Sequence, residues 1–317
     1  MTSAGVPDGW SSRPYATPAD LRLMQALSSA CWRADWPAPL THPGDIDWWS
    51  RDATDGGLPL ADRIRLWFEG EPDDSGLIAW AWFNLPGDVD MQIRPDHRNP
   101  ILVASIVDWA VSRTISVVGE GLPVEAVQAF ATDAQPDVVD ALRGLGLAPV
   151  EGKPLAHLTR RFEGWIADEP LLPPGFALRP LVSADVAARV VCGHAAFPDS
   201  QMTVAKYEAA RRTTLYRQAL DWLVIAPDGR LAAFALGWLD PVTLGLELEP
   251  VGVDPEFQRR GLGRAICLAT IRAARSLGAS HGLICARGDN PAAIALYQGL
   301  GYEITTWTRP YRRPLRT

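Results

Sequence analysis

The segment Gln258-Arg-Arg-Gly-Leu-Gly-Arg264 leaves little freedom to the chain around it. Before it, Leu244 to Val253 reads as a strand. After it, a helix is predicted from about Gly261 to Leu277, because Leu262, Ile266, Ala269, Ala273 and Leu277 keep helical spacing. A loop that opens a helix points several unpaired backbone N–H groups one way, at the positive end of the helix dipole, and so forms an anion site. Gly261 and Gly263 remove side chains where a phosphate would approach the backbone. Arg259, Arg260 and Arg264 add charge suited to a polyphosphate.

The surrounding sequence supplies the sheet that such a junction needs. The 317 residues suggest about two domains. Asp168-Glu-Pro-Leu-Leu-Pro-Pro-Gly175 cannot form helix or central strand and reads as a linker. Beyond it, Phe176 to Leu181 is a predicted strand, and Ser183 is expected to cap a helix running towards Phe197. A second helix is predicted over Val204 to Tyr216. Asp221 to Ala226 and Leu231 to Leu239 form a hairpin about Pro227-Asp-Gly-Arg230. His281 to Ala286 is a strand, Pro291 to Gly299 a helix and Tyr302 to Trp307 a last strand. This mixture predicts a twisted α+β sheet.

The first half repeats the layout: strands over Asp62 to Glu69, Leu77 to Phe83, Asp88 to Ile93 and Val124 to Ala131, helices over Pro100 to Thr114 and Pro136 to Leu145. Met91 to Arg98 aligns with Val251 to Gln258 at an offset of 160, and Gly144 to Leu147 with Gly299 to Tyr302 at 155.

Val251-Gly-Val-Asp-Pro-Glu-Phe-Gln-Arg-Arg-Gly-Leu-Gly-Arg264 resembles the acetyl-CoA loop of the GNAT acetyltransferase superfamily. Asp289-Asn-Pro-Ala-Ala-Ile-Ala-Leu-Tyr-Gln-Gly-Leu-Gly-Tyr302 resembles that family's second motif. The whole is similar to tandem GNAT proteins. The resemblance implies two GNAT-like α+β domains, each a twisted mixed, mainly antiparallel sheet flanked by helices. The division expected is 1–165, a degenerate domain without the loop; 166–175, a linker; and 176–317, a catalytic domain.

The resemblance also implies chemistry. Acetyl-CoA would be the cosubstrate, its pyrophosphate on the loop Gln258, Arg259, Arg260, Gly261, Leu262, Gly263 and Arg264, with Asn290 and Tyr297 also bordering it. Its pantetheine arm would extend the strand at Val251, Gly252 and Val253, where a backbone N–H would polarise the thioester carbonyl. An amine attacks directly; no cysteine or serine lies in a nucleophile motif. Tyr297 is the natural general acid, since a phenol holds its proton at neutral pH; Asn290 and Pro291 start its helix, and it could equally pack beside Ile294 and Leu300. Glu247 and Glu249 lie on one side of their strand, and either could be the base, or both a solvated face. The expected reaction is N-acetylation, the acceptor a small-molecule amine. Protein N-acetylation and non-catalytic acyl-CoA sensing are the alternatives.

At those offsets Gly261 aligns with Ile101, Gly263 with Val103, Arg260 with Pro100, Asn290 with Gln135, Tyr297 with Leu142 and Glu247 with Gly87. The first half is therefore expected to lack loop, acid and base.

A net charge of −7 and a pI near 5.3 argue against nucleic acid as a partner. Cys31, Cys192, Cys267 and Cys285 lack metal-site or redox spacing, so no metal is expected. The N-terminus shows no secretory pattern, and no stretch is read as spanning a membrane, Leu231 to Leu239 being the nearest. A cytoplasmic protein, monomer or homodimer, is expected.

Overall fold

The computed structural model describes residues 9–54, 58–72, 76–119, 121, 123–152, 154–165 and 168–315. In the first half the elements are β1 (Trp10–Pro14), α1 (Pro18–Asp35), α2 (Pro43–Ser50), α3 (Leu60–Arg63), β2 (Ile64–Glu69), β3 (Leu77–Leu85), β4 (Asp88–Ile93), α4 (Pro100–Gly119), β5 (Ala126–Thr132), α5 (Pro136–Gly144), β6 (Ala148–Pro149) and β7 (Leu155–Arg161). In the second they are β8 (Ala177–Pro180), α6 (Val186–Ala196), α7 (Val204–Ala210), β9 (Asp221–Ile225), β10 (Leu231–Leu239), β11 (Gly245–Val253), α8 (Leu262–Ser276), β12 (His281–Arg287), α9 (Pro291–Gly299) and β13 (Glu303–Pro314).

Among the described residues the strands form one mixed sheet, ordered β1-β2-β3-β4-β5-β13-β7-β12-β11-β10-β9-β8, with β6 beside β13. The parallel neighbours are β4 with β5 and β11 with β12, and both pairs are brief. β11 and β12 pair over Gly245–Glu247 and then part; β4 and β5 pair at Asp88 and Val89 and then part. The halves exchange their last strands. β7 pairs along the whole of β12, while Thr308–Pro314 of β13 pairs with β5. Each half's sheet is thus completed by the other half.

Helices cover both faces. β10 is buried along its whole length, which explains its unbroken apolar run Leu231-Ala-Ala-Phe-Ala-Leu-Gly-Trp-Leu239. α8 turns Ala265, Ile266 and Leu268 inwards and Arg264, Arg272 and Arg275 outwards. α4 extends five residues beyond the predicted Thr114, and its 20 residues, which include an 18-residue stretch of mean hydropathy 1.7, are long and apolar enough to cross a membrane. That corrects the sequence reading, which found no such stretch. Leu102, Val103, Ile106, Val107 and Ala110 of α4 sit in the first-half core, as a core helix requires.

Three other expectations need correction. The helix expected over 204–216 stops at Ala210: Thr213 Oγ1 donates to the Ala210 carbonyl, and Asp47 takes the Leu215 N–H at 2.7 Å. Ser183 does not cap α6; it opens a short 3₁₀ turn, where Asp185 is held by Arg179 and the Val182 N–H. β13 runs seven residues past Trp307, because β5 offers it an edge. Residues 168–175 form neither helix nor strand, and Asp168 and Glu169 pair with Arg264 and Arg272 of α8, each at 2.6 Å. Residues 166–167 of the expected linker, and 1–8, lie outside the described residues.

Candidate active site

Both partings of the sheet open on one cavity of about 740 Å³. Glu247, Glu249 and Val251 reach it from β11, Asp88 and Asp90 from β4, Asp45 and Trp48 from α2, and Asn290 and Tyr297 from α9. Strand alternation puts Glu247 and Glu249 on one side of β11. β11 bulges next to Pro250. Gly237 of β10 faces Leu248 and Ala235 faces Val251, so β11 carries one extra residue between them. The Trp238 indole N–H donates to the Glu249 carbonyl at 2.8 Å and fixes that bulge.

The carboxyl groups are unlike one another. Burial pushes Glu249 up to about 7, although Arg51 and Arg189 partly oppose it. Asp45 is also pushed up to about 7 by burial, against the His42 backbone N–H that donates to it at 2.9 Å. Glu247 is raised well above the carboxylate range by burial and by the neighbouring Asp45 and Glu249. Like charges this close and this dry cannot both ionise, so the Glu247–Asp45 pair keeps a proton near neutral pH, and we assign it to Glu247. His42 Nδ1 lies 3.7 Å from Glu247 Oε2, yet this is no ion pair. Nδ1 accepts the Gly44 N–H at 2.9 Å and Nε2 donates to the Gly245 carbonyl at 3.2 Å, so the ring is neutral, and burial lowers it to about 4. Glu247 Oε2 is consequently buried and receives no hydrogen bond.

Tyr297 is 6% exposed, and burial raises its phenol well above the usual value. Its proton therefore stays in place through neutral pH. Asn290 Oδ1 accepts the Ala293 N–H at 3.1 Å, and with Pro291 starts α9 as predicted, which sets the two-turn reach of Tyr297.

Beyond the pairing with β12, the edge of β11 is bare. The Asp254 N–H donates to Ala232 of β10 at 3.0 Å. Alternation then turns the N–H groups of Val251 and Val253 away from β10, into the gap. The loop beyond supplies donors of a different kind. Gly261 has φ +78°, with nothing within 4 Å of where a side chain would start, and Arg259 has φ +63°. α8 has no side-chain cap, so its first N–H groups are uncommitted to one. Gly263 serves a different purpose: a Cβ there would stand 3.1 Å from Leu296, so the glycine lets α8 and α9 touch. Arg264 is committed to Asp168 and to the Gly299 carbonyl, at 2.6 and 2.7 Å. Gln258 Nε2 reaches the Val253 carbonyl at 3.4 Å, and Arg260 borders a surface groove of about 640 Å³ beside Gly261.

The first half keeps more than a fixed offset suggests. β4 has no bulge at the equivalent place: Ala81 faces Met91 and Phe83 faces Val89. Glu247 faces Leu283, and Asp88 faces Gln128, at the same 155 offset as the second sequence anchor. The counterparts of Glu247 and Glu249 are therefore Asp88 and Asp90, and the alignment of Glu247 with Gly87 is corrected: one bulge residue had shifted it. The loop is absent as expected. The first N–H groups of α4 at Ile101 and Leu102 are already taken by Asn99 Oδ1, both at 3.1 Å.

Comparison with known proteins agrees with this geometry. Residues 191–302 match the acetyltransferase (GNAT) family. A mycothiol acetyltransferase of Nocardiopsis dassonvillei is 32% identical over 80% of this chain and 86% of its own. The chain belongs to the GNAT acetyltransferase family. A GCN5-related N-acetyltransferase from Sphaerobacter thermophilus shares the fold with a TM-score of 0.69 at 19% identity, over 99% of this chain and 98% of the other. A tandem GNAT protein from the clavulanic acid biosynthesis pathway does so with 0.65 at 12% identity, over 96% and 98%. The GNAT cosubstrate is acetyl-CoA, and the bare β11 edge and uncapped α8 suit its amide arm and phosphates. Sequence reasoning missed Asp45, Asp90 and Arg51, because only the sheet shared by both halves brings α2 and β4 to the second-half site. His42-Pro43 signals the start of α2 but carries no hint of what α2 faces.

Proposed function

We propose that this GNAT protein is an N-acetyltransferase that moves an acetyl group from acetyl-CoA to an amine on a small molecule. Acetyl-CoA supplies the acetyl group as a thioester. The observation that carries the reading is the pairing, across one cavity beside the bare edge of β11, of Glu249 and Tyr297. Glu249, pushed up to about 7, is matched to remove a proton from an acceptor amine near neutral pH. Glu247 stays protonated and is not the base. Tyr297 holds a proton to give to the departing sulfur. The N–H groups of Val251 and Val253 hold the acyl arm, and Val253 polarises its carbonyl. Gly261 and the first turn of α8 take the phosphates, with Arg259 and Arg260 beside them; Arg264 anchors the linker. The mycothiol acetyltransferase relatives support a small acceptor, and the cavity's walls from both halves enclose one. We further propose that 1–165 and 176–317 are two GNAT-like units, the second alone binding acetyl-CoA. The test is thiol release from acetyl-CoA over a panel of small amines. Saturable release that leaves an N-acetyl product supports the reading. Tight acetyl-CoA binding with no release for any amine refutes it in favour of a sensor.

A further inference from the structure

The outward arginines of α8 all meet the chain that leads from the first half into the second. Arg275 stands 5.7 Å from the Trp165 ring, Arg272 pairs with Glu169 at 2.6 Å, and Arg264 pairs with Asp168 at 2.6 Å. This stretch is fastened on either side. The Arg160 guanidinium lies 3.8 Å over the Trp165 ring and donates to the Leu300 carbonyl. Phe176 packs edge-on against Phe257, with ring centres 6.1 Å apart. Residues 168–172 are held more lightly. Asp168 and Glu169 are 68% and 76% exposed and Leu171 83%, while Leu172 packs inwards with Phe257 and Leu262.

Arg264 is where this stretch meets the phosphate loop. It is the third residue of α8, in the turn whose N–H groups have no side-chain cap. Asp168 and Leu172 share one groove of about 640 Å³ with Arg260, Gly261 and Arg264. Arg264 Nη1 donates to the Gly299 carbonyl at 2.7 Å, and Nη2 donates to Asp168 Oδ2 at 2.6 Å. The carboxylate thus holds a nitrogen that a phosphate oxygen could take, and it brings negative charge to a site suited to anions. An ion pair this exposed is weak and opens readily. A phosphate at the loop gains the helix end as well as the guanidinium, an advantage that Asp168 lacks.

Resting on the acetyl-CoA reading, we propose that residues 168–172 are a strap that Asp168 closes over the phosphate loop. It lifts when acetyl-CoA binds, a phosphate of the cosubstrate replacing the carboxylate on Arg264. Binding must then break the Asp168 pair, so the strap lowers the affinity of its own site. Because these residues join the two halves, loading of the second half frees the middle of the connection while Trp165 and Phe176 keep hold on either side.

The experiment is calorimetric titration of the full chain with acetyl-CoA at low salt. Asp168→Asn should tighten binding about threefold, the scale of one exposed ion pair that no longer has to break. Asp168→Glu, which keeps the charge, should stay within about 1.5-fold of the native protein. The gain in Asp168→Asn should shrink at about 0.5 M salt, where exposed charges are screened. A nitroxide on Leu171→Cys, read against the label-treated native chain, follows the strap directly: saturating acetyl-CoA should narrow its spectrum, and less so when Asp168→Asn is also present. Unchanged affinity in Asp168→Asn overturns the proposal, and so does an equal gain in Asp168→Glu or a spectrum that acetyl-CoA leaves unmoved. Weaker binding in Asp168→Asn overturns it too, since Asp168 would then hold Arg264 ready for the phosphate. Binding is read without turnover, so the two readings fail separately. The gain without thiol release leaves the strap and sinks the enzyme; thiol release without the gain does the reverse.

Discussion

Glu249→Gln keeps the size and most contacts of the side chain while removing its charge. The native carboxyl is pushed from the ordinary 4.5 up to about 7 by burial. The folded protein therefore binds its proton more tightly than the unfolded chain does between those values. The sign follows: the stabilisation is complete below pH 4.5 and is lost as the pH rises through 7. A gap of about 2.5 pH units at about 1.4 kcal/mol each gives ~3 kcal/mol in total, of which about 2.5 kcal/mol falls between pH 5 and pH 8.5. Urea unfolding of both proteins at those two pH values measures it. The variant should gain on the native protein by that amount as the pH rises. In the same variant, the acidic limb near pH 7 in the profile of kcat/KM should disappear with most of the activity. Parallel stability curves would refute the burial argument. An unchanged acidic limb would remove Glu249 as the base, whatever the stability data show.

Tyr297→Phe should lower turnover about 100-fold or more with little change in acetyl-CoA affinity, as measured by steady-state kinetics and calorimetry; unaltered turnover where chemistry limits the rate would exclude it as the acid. Glu247→Gln should leave the acidic limb of kcat/KM in place, since that carboxyl already carries a proton; a lost limb would transfer the base to Glu247. Calorimetry should give about one acetyl-CoA per chain, and Gly261→Val, at φ +78°, should abolish it; two equivalent sites would show that Asn99 does not close the first half.

Much of this was legible in the residues. The loop at Gln258 to Arg264, the Asn290-Pro291 helix start and the repeated layout all depend on neighbours in sequence, and all are where they were expected. Three things were not. One extra residue in β11 hid the correspondence of Glu247 and Glu249 with Asp88 and Asp90, because a bulge leaves no mark in hydrophobic alternation beyond Pro250. Asp45 and Asp90 were invisible as site residues because they reach the cavity across some 200 and 160 residues of intervening chain, through a sheet shared by both halves. The roles of Gly261 and Gly263 looked alike in sequence. Only packing separates the open space at one from the Leu296 contact at the other.

The exchanged strands also impose a timetable on synthesis. β5 is complete at Thr132, but the strand that covers its edge ends at Pro314, 182 residues later. At roughly 5–20 residues per second, the ribosome leaves that edge bare for about 10–35 s. An open strand edge invites pairing with other chains, so the nascent first half needs shelter for that interval. Deletion of Thr308–Pro314, the segment that pairs with β5, should therefore damage the half that was made first.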